Sequence, residues 1–321
     1  MENKSIIFMG TPDFAVSSLL EIQKAGIEIK AVVTQPDKQR GRGKKVSFTP
    51  VKKAAIELGI PVLQPIKMRN KDFIEQLKEL NADLFVVVAF RILPKKVLEI
   101  PPLGSINLHA SLLPNYRGAA PINHALFNGD KKTGLTVFFL NSDKVDSGNV
   151  VEQIEVEIDD DDNFGSLYDK LKIEGSSFLP TVINNIFNNN IKTSQQDIST
   201  AVNLDAPKIF PEHFKIDWNH SAESIHNQVR GLAPKPGAFC SFNDKRLKII
   251  ETSIDNIECN NSSGEIIEID RKNNSISVST GKGILKLHRV QPEGKAVIDA
   301  SSFINGYSIK VGMIFISPEE L

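Results

Sequence analysis

Short apolar runs recur through the first half of the chain and predict buried strands. The runs are Ser5 to Gly10, Ile27 to Thr34, Ala82 to Ala89, Gly104 to Ala110 and Thr133 to Asn141. Val150 to Ile158 instead alternates apolar and acidic residues, which predicts an edge strand or a strand with one buried face. Nearly continuous apolar strands are typical of a parallel sheet that is covered on both faces.

The segments between these runs have apolar residues at helical spacing. We predict helices over Phe14 to Ala25, Pro50 to Leu58 and Asn70 to Leu80, and another helix beginning near Asn163. Strands that alternate with helices indicate an α/β fold with a mostly parallel, Rossmann-like sheet.

From Gly237 onward the pattern changes, after a short helix predicted over Ser221 to Leu232. Short strands follow, separated by Asn, Asp, Ser and Gly turns; they are 237–242, 245–251, 264–269, 275–279 and 283–290. This spacing predicts a small β-barrel of about five strands. We expect a first domain at 1–190, a linker at 191–207 and a second domain at 208–321.

Net charge, cysteine spacing and absent motifs argue against several kinds of binding protein. The net charge of -1 excludes a global attraction to nucleic acid, so any such contact needs a local patch. Cys240 and Cys259 lack the spacing of metal ligands and are expected to be reduced, in a cytoplasmic protein without a signal peptide or a membrane-spanning run. Gly10-Thr11-Pro12-Asp13 lacks the glycines of a dinucleotide fingerprint, and Asp159 to Asp162 lacks the spacing of a calcium loop. We expect no metal.

A local basic patch does exist after the second strand. Its predicted phosphate-binding residues are Lys38, Arg40, Arg42, Lys44 and Lys45, with Lys52 and Lys53 farther along the chain. Positions 38–53 contain no acidic residue, and the connection is longer than such folds usually need. A solvated loop and a nucleic-acid contact both remain open from these residues alone.

The most informative chemistry lies where the strand at 104–110 ends. Asn107 and His109 are two residues apart, so on a strand they project to the same side. An amide donor and an imidazole together can stabilise a carbonyl oxygen that gains negative charge. An Asn or His in a strand is more often a hydrogen-bonded structural residue, and this alternative also remains open.

A longer motif favours the catalytic interpretation. His109-Ala110-Ser111-Leu112-Leu113-Pro114-Asn115-Tyr116-Arg117-Gly118 resembles the signature of the folate-dependent formyltransferases, and Asp143 to Asn149 resembles that family's second element. The resemblance implies catalytic roles for Asn107, His109 and Asp146, with 10-formyltetrahydrofolate as cosubstrate. It also implies that folate lies against two segments: Phe85, Val87, Ala89, Phe90, Ile92 and Leu93, and then Ser111, Leu112, Leu113 and Pro114.

Two further features resemble the methionyl-tRNA formyltransferases within that superfamily. The basic segment is similar to their insertion that contacts initiator tRNA, and Val229-Arg230-Gly231 with Pro234 to Ala238 is similar to their OB-like tRNA-binding domain. The resemblance covers nearly the whole chain and implies an enzyme that formylates methionyl-initiator tRNA for translation initiation. A monomer is our default expectation. The alternatives are formyl transfer to glycinamide ribonucleotide or a sugar nucleotide, and a noncatalytic tRNA-binding module.

Two segments depart from the family's common pattern. Before Ile-Leu-Pro many relatives carry Ala-Tyr-Gly and one further residue, whereas this chain has the shorter Ala89-Phe90-Arg91. Lys144-Val145 replaces the family's Gly-Leu before Asp146. Both segments are expected to border the folate site, so its contacts are expected to differ there, whereas the catalytic identities are retained.

Overall fold

The computed structural model describes residues 4–40, 45–141, 144–203, 205–255, 257 and 259–318. The chain forms two compact units. The first comprises Met1–Pro121, Lys132–Glu157 and Tyr168–Pro207; the second comprises Ile122–Lys131, Ile158–Leu167 and Lys208–Leu321. Across the described ranges, no helix combines the length and the apolar character needed to cross a membrane.

The first unit is built on a seven-stranded sheet. In chain order the strands of the whole unit are β1 (Ser5–Gly10), β2 (Glu28–Val33), β3 (Lys38–Arg40), β4 (Lys45–Ser47), β5 (Val62–Leu63), β6 (Leu84–Val88), β7 (Ser105–His109), β8 (Arg117–Gly118), β9 (Lys132–Phe139), β10 (Val150–Glu157) and β11 (Asp205–Ala206). Seven of them form the large sheet, and the short strands pair separately, β3 with β4 and β8 with β11. The large sheet has the order β10-β9-β7-β6-β1-β2-β5. The strands from β7 to β5 are parallel, and β9 and β10 are antiparallel additions at one edge.

The predicted α/β class and the predicted edge position of 150–158 are therefore confirmed. Every residue of β1 and of β6 is buried, which is the reason that both strands read as continuous apolar runs. Because β1, β2, β6 and β7 are parallel, their carboxyl ends lie at one edge of the sheet. Open α/β sheets place ligands at that edge.

Two of the predicted helices start directly after a residue whose side chain caps them. The helices are α1 (Asp13–Lys24), α2 (Pro50–Glu57), α3 (Lys71–Glu79), α4 (Lys95–Leu98), α5 (Pro121–Phe127), α6 (Phe164–Phe187), α7 (Ala222–Leu232) and α8 (Ala300–Tyr307), with 3₁₀ turns at Ile198–Thr200 and Pro211–Phe214. The Asn70 side chain accepts hydrogen bonds from two amides at the start of α3, and Ser221 does so from the Ser224 amide in α7. Both predicted helix starts are confirmed.

The basic segment contains a short hairpin that the sequence did not predict. Lys38, Gln39 and Arg40 of β3 pair antiparallel with Ser47, Val46 and Lys45 of β4. Arg42 and Lys44, which were predicted to bind tRNA, lie outside the described residues. The paired backbone fixes the two arms of the segment relative to each other.

The second unit contains an antiparallel sheet. Its strands are β12 (Ala238–Phe242), β13 (Lys245–Asp255), β14 (Ile266–Asp270), β15 (Ser275–Ser279), β16 (Ile284–Pro292) and β17 (Ile298–Asp299), in the order β12-β13-β16-β15-β14 with β17 beside β16. Residues 312–316 hydrogen-bond to β12 through Ser241 and to the other edge through Gly264 and Ile266. This segment connects the two edges of the sheet, as expected for a small OB-like barrel.

Phe315 lies at the centre of that connection and of the core beneath it. Its side chain is fully buried and packs on Trp218 and Phe242, with ring centroids 5.9 and 5.2 Å apart. A Cβ at Gly264 would lie 2.2 Å from the Phe315 carbonyl oxygen, and Gly264 has φ +87°. Glycine is therefore required where the connecting segment meets the sheet edge.

We predict that Phe315→Ala lowers the free energy of unfolding of this unit by about 3–5 kcal/mol, because it removes a buried aromatic ring from the core. Urea denaturation followed by fluorescence measures this change, since Trp218 is the single tryptophan. Ile316→Ala is the matched control on the same segment, because its side chain is 57% exposed. Equal losses in the two variants would contradict the role given to Phe315.

Candidate active site

Strand β7 delivers Asn107 and His109 to the carboxyl edge of the sheet. It lies between β6 and β9, and its register pairs Asn107 with Val87 and Phe138. His109 is 6% exposed, so its ring is fixed by packing on nearly all sides. Within the described residues, no protein group hydrogen-bonds the partly buried side-chain amide of Asn107. That amide is therefore available to a ligand.

The two ring nitrogens of His109 face different acceptors. Nε2 lies 2.8 Å from the main-chain oxygen of Tyr116, and Nδ1 lies 3.8 Å from Oδ2 of Asp146. A carbonyl oxygen can only accept, so Nε2 carries a hydrogen. The distance to Asp146 exceeds a direct hydrogen bond, which leaves the Nδ1 side as the part of the ring that can meet a reacting group.

Asp146 is held in position by its own backbone and by a neighbouring loop. Its φ of +50° is in the left-handed region, which is uncommon for a residue other than glycine. Its Oδ2 accepts a 3.0 Å hydrogen bond from the amide of Gly118, and its side chain is 12% exposed. The structure thus places Asp146 beside His109, on whose strand Asn107 also lies.

The loop after β7 is anchored by Thr136 of β9. Thr136 Oγ1 donates to the Ser111 oxygen at 2.6 Å and accepts from the Leu113 amide at 3.1 Å and from Gln153 Nε2 at 2.8 Å. Ser111 and Leu113 are buried, whereas Leu112 and Pro114 are partly exposed. Of the residues predicted here for folate, Leu112 and Pro114 have side chains that reach the surface.

The predicted folate segment at 85–93 divides in the same way. Phe85 and Val87 are buried in the core of the first unit, so their side chains already have packing partners. Ala89 is exposed with φ +47°, Phe90 is half-buried and Leu93 is buried.

Ile92 is 79% exposed, which is unusual for a large apolar side chain. The adjacent Arg91 donates hydrogen bonds to the carbonyl oxygens of Pro65 and Ile66. A depression of about 380 Å³ lies beside this turn and is lined by residues 66–69 and 91–94. The turn at 89–93 therefore presents the apolar side chain of Ile92, and the hydrogen bonds of Arg91 hold its backbone in place.

Lys52 was grouped with the basic patch, but the structure gives it a different partner set. Its Nζ contacts the Asp37 carboxylate and Gln64 Oε1, and lies 4.1 Å from the centre of the Phe48 ring. The hydrogen bond from Lys52 lowers the pKa of the Asp37 carboxyl. Lys52 therefore braces the base of the hairpin, whereas Lys38, Arg40 and Lys45 lie on its strands.

Three contributors to this site were missed from the sequence. Tyr116 acts through its carbonyl oxygen, which any residue type could supply. Gln153 donates to the Leu113 oxygen at 2.9 Å, and Gln196 donates to the main chain on both sides of Ser147. Isolated glutamines on a strand or in a polar connection give no periodic signal. Across the ranges that the structure describes, no group of three His, Cys, Asp or Glu residues could hold a metal ion.

Family models match both parts of the chain. Residues 3–183 match the family described as formyl transferase, and residues 208–308 match the formyl transferase C-terminal domain. A methionyl-tRNA formyltransferase of Clostridium perfringens (strain SM101 / Type A) is 45% identical over 312 residues, covering 96% of this chain and 99% of its own. The protein of that name from Thermodesulfovibrio yellowstonii is 43% identical and covers 97% and 98%.

Solved structures share the fold at low sequence identity. WlaRD, a sugar 3N-formyl transferase crystallised with dTDP and 5-N-formyl-THF, superposes with a TM-score of 0.65 at 21% identity, covering 92% of this chain and 100% of its own. HypX from Aquifex aeolicus in complex with tetrahydrofolic acid gives a TM-score of 0.61 at 14% identity, covering 99% of this chain and 51% of its own. At these identities the likeness establishes the fold.

We predict that Thr136→Val lowers the free energy of unfolding by about 1–3 kcal/mol, because it leaves the buried Leu113 amide without its acceptor. Urea denaturation followed by circular dichroism measures the loss. Thr133→Val is the matched control on β9: in the described structure its buried Oγ1 has no hydrogen-bond partner, so the substitution should be neutral or stabilising. A loss at Thr133 as large as that at Thr136 would refute this explanation.

Proposed function

The chain belongs to the formyl transferase family, and we propose that it transfers the formyl group of 10-formyltetrahydrofolate to the α-amine of methionine on initiator tRNA. The observation that carries this proposal is the juxtaposition of His109 and Asp146, with the Asn107 amide on the same face of β7. The full-length similarity to methionyl-tRNA formyltransferases supports the choice of acceptor. We further infer a cytoplasmic monomer that acts in translation initiation.

The transfer forms a bond from the amine nitrogen to the formyl carbon and breaks the bond from that carbon to the folate nitrogen. The formyl oxygen gains negative charge as the amine attacks. The Asn107 amide and a hydrogen on His109 Nδ1 can donate to that oxygen from one side. Asp146 lies 3.8 Å from Nδ1, where it can receive the proton that leaves the amine, and that proton passes to the departing folate nitrogen. Proximity of the two substrates supplies the remainder of the acceleration.

The turn at 89–93 fits a planar folate ring. An exposed Ile92 offers apolar surface that a ring would cover, and the neighbouring backbone is fixed by the hydrogen bonds of Arg91. The second predicted segment, Ser111 to Pro114, is held by Thr136 at the same edge of the sheet. A formylated folate would supply the activated one-carbon group there, while these residues bind and orient it.

The hairpin and the small barrel favour a tRNA acceptor over a smaller one. Lys38, Arg40 and Lys45 lie on paired strands. With Arg42 and Lys44, the sequence has five cations between positions 38 and 45 of a nearly neutral chain. Glycinamide ribonucleotide or a sugar nucleotide carries too few phosphates to need such a stretch. We assign 208–321 as the tRNA-binding domain, after a catalytic domain at 1–190 and a linker at 191–207.

A formyl-transfer assay tests the proposed function. The purified full chain is supplied with 10-formyltetrahydrofolate and, in separate reactions, with methionyl-initiator tRNA, glycinamide ribonucleotide and an amino-sugar nucleotide. We expect formyl transfer to the charged tRNA. Transfer only to either smaller acceptor would replace the proposed substrate, and tRNA binding without any transfer would favour a noncatalytic module.

We predict that His109→Ala and Asp146→Ala each lower kcat by about 10²-fold or more, the scale of acid–base or oxyanion assistance. Asn107→Ala should lower turnover rather than tRNA affinity, because its amide acts on the reacting oxygen. Steady-state kinetics on variants with a native circular dichroism spectrum measures these effects. Turnover near that of the parent in one of the folded variants would remove that residue from the catalytic role.

We predict that replacing Arg40, Arg42, Lys44 and Lys45 by Ala weakens tRNA binding and leaves folate binding unchanged. For each phosphate that the variant no longer neutralises, the slope of log affinity against log salt should become shallower by about 0.7 to 0.9. Titrations of tRNA at several salt concentrations measure that slope. Arg42→Ala alone should weaken productive use of the tRNA in the same direction.

The control for this variant replaces four exposed lysines elsewhere in the first unit, Lys24, Lys71, Lys78 and Lys95, by Ala. It removes the same formal charge away from the hairpin. Equal salt slopes in the parent and the hairpin variant, or a loss confined to folate binding, would contradict the assignment.

A further inference from the structure

The segment 194–206 lies along both loops that carry the candidate catalytic groups. At one end, Ser194 exchanges two main-chain hydrogen bonds with Val150, at 2.8 and 3.0 Å. At the other end, β11 pairs in parallel with β8, aligning Asp205 with Arg117 and Ala206 with Gly118. All of these residues belong to the first unit. The described residues of this segment are therefore part of the site's scaffold.

Gln196 is the residue of this segment that holds the Asp146 loop. Its Nε2 donates to the main-chain oxygens of Asp146 at 2.9 Å and of Gly148 at 2.8 Å. Its Oε1 accepts from Nε and Nη2 of Arg117 at 3.0 and 2.6 Å. Both ends of one amide are thus used, and the guanidinium fixes which end faces the loop.

The hydrogen bonds from Gln196 hold a loop whose backbone has little freedom to move. Asp146 has a left-handed φ, which costs free energy unless the surroundings impose it. A Cβ at Gly148 would lie 1.6 Å from the Phe139 oxygen, so the loop is pressed against β9 on its other side. Gln196 and β9 together determine where the Asp146 carboxylate points.

The same segment also fixes the second partner of His109. Asn203 accepts from the Tyr116 amide at 2.7 Å through its main-chain oxygen, and its side chain donates to the Tyr116 hydroxyl at 3.0 Å. Asn115 Oδ1 accepts from the amides of Val202 and Asn203. Tyr116 in turn supplies the carbonyl that accepts from His109 Nε2.

We propose that Gln196 and Arg117 are positioning residues that set the placement of Asp146 relative to His109, through the paired hydrogen bonds of one side-chain amide. This inference rests on the proposed function for its kinetic consequence. Gln196 donates to the main chain and not to a reacting atom, so its removal displaces the carboxylate without removing it. A displacement of about 1 Å at such a site can cost on the order of 10²-fold in rate.

The test compares Gln196→Leu with Gln195→Ala, which changes the preceding, exposed glutamine. Gln196→Leu should lower kcat about 10- to 100-fold, with KM for tRNA and for folate changed less than about threefold. Gln195→Ala should match the parent. In an Asp146→Ala background, Gln196→Leu should cause almost no further loss of kcat, because both changes act on one group.

A second readout does not depend on catalysis. The Gly118 amide donates to Asp146 Oδ2, so its hydrogen exchange, followed by NMR, reports the placement of the carboxylate. Exchange at Gly118 should accelerate in Gln196→Leu and in Arg117→Leu, while amides in the centre of β6 stay protected. Failure of the parent to transfer formyl groups, with Gly118 exchange changed as stated, would reject the proposed function and retain the positioning role.

Parent-like kcat and unchanged Gly118 exchange in Gln196→Leu would overturn the inference. Full additivity with Asp146→Ala would also overturn it, because it would show that Gln196 acts independently of that carboxylate. An increase in both KM values at constant kcat would point to substrate binding and would likewise contradict positioning.

Discussion

The hydrogen bond from His109 Nε2 to the Tyr116 carbonyl is the interaction on which the site depends. It fixes which ring nitrogen carries a hydrogen, and it leaves Nδ1 facing Asp146 at 3.8 Å. Rotation of the ring would break the contact of Nε2 with its acceptor and would place a ring carbon against the carbonyl. A ring held in this way directs Nδ1 at one point in space without reorganising, and Nδ1 can donate there when it also carries a hydrogen, which is the condition for electrostatic stabilisation of a forming oxyanion.

The remainder of the first unit maintains that geometry. Fully buried β1 and β6 make a rigid platform, and β7 extends from it with Asn107 and His109 on one face. Thr136 secures the loop after β7, and the segment 194–206 secures Tyr116 and the Asp146 loop. In the proposed function, substrates contact the turns and the hairpin, whereas the proposed catalytic side chains are held by a scaffold with few degrees of freedom.

Much of this fold follows from the sequence, and the exceptions have physical reasons. Strands β1 and β6 were predictable because burial on both faces requires continuous apolar residues. Strand β5 has only two residues, which is too short for any periodicity. The connecting segment around Phe315 completes the second sheet through main-chain hydrogen bonds, and these carry no residue signature.

The candidate site likewise has some residues that the sequence predicts and others that only the fold reveals. Asn107 and His109 could be paired from strand spacing alone, but the partnership with Asp146 came only from the family resemblance. The sequence alone made Lys52 one more cation of the basic patch. Its carboxylate partner Asp37 precedes the hairpin in the chain, whereas Lys52 follows it, so only the fold shows that they pair. Gln196 could not have been found, because its partners are main-chain oxygens and a guanidinium brought close by the fold.

Nitrogen-15 NMR of the histidine rings tests the central claim most directly. The chain has six histidines, and His109 can be assigned by comparison with the His109→Gln variant. We predict that the hydrogen of the neutral His109 ring is on Nε2, facing the Tyr116 carbonyl. A neutral ring with its hydrogen on Nδ1 and a bare Nε2 would contradict the contact with Tyr116 and the chemistry derived from it.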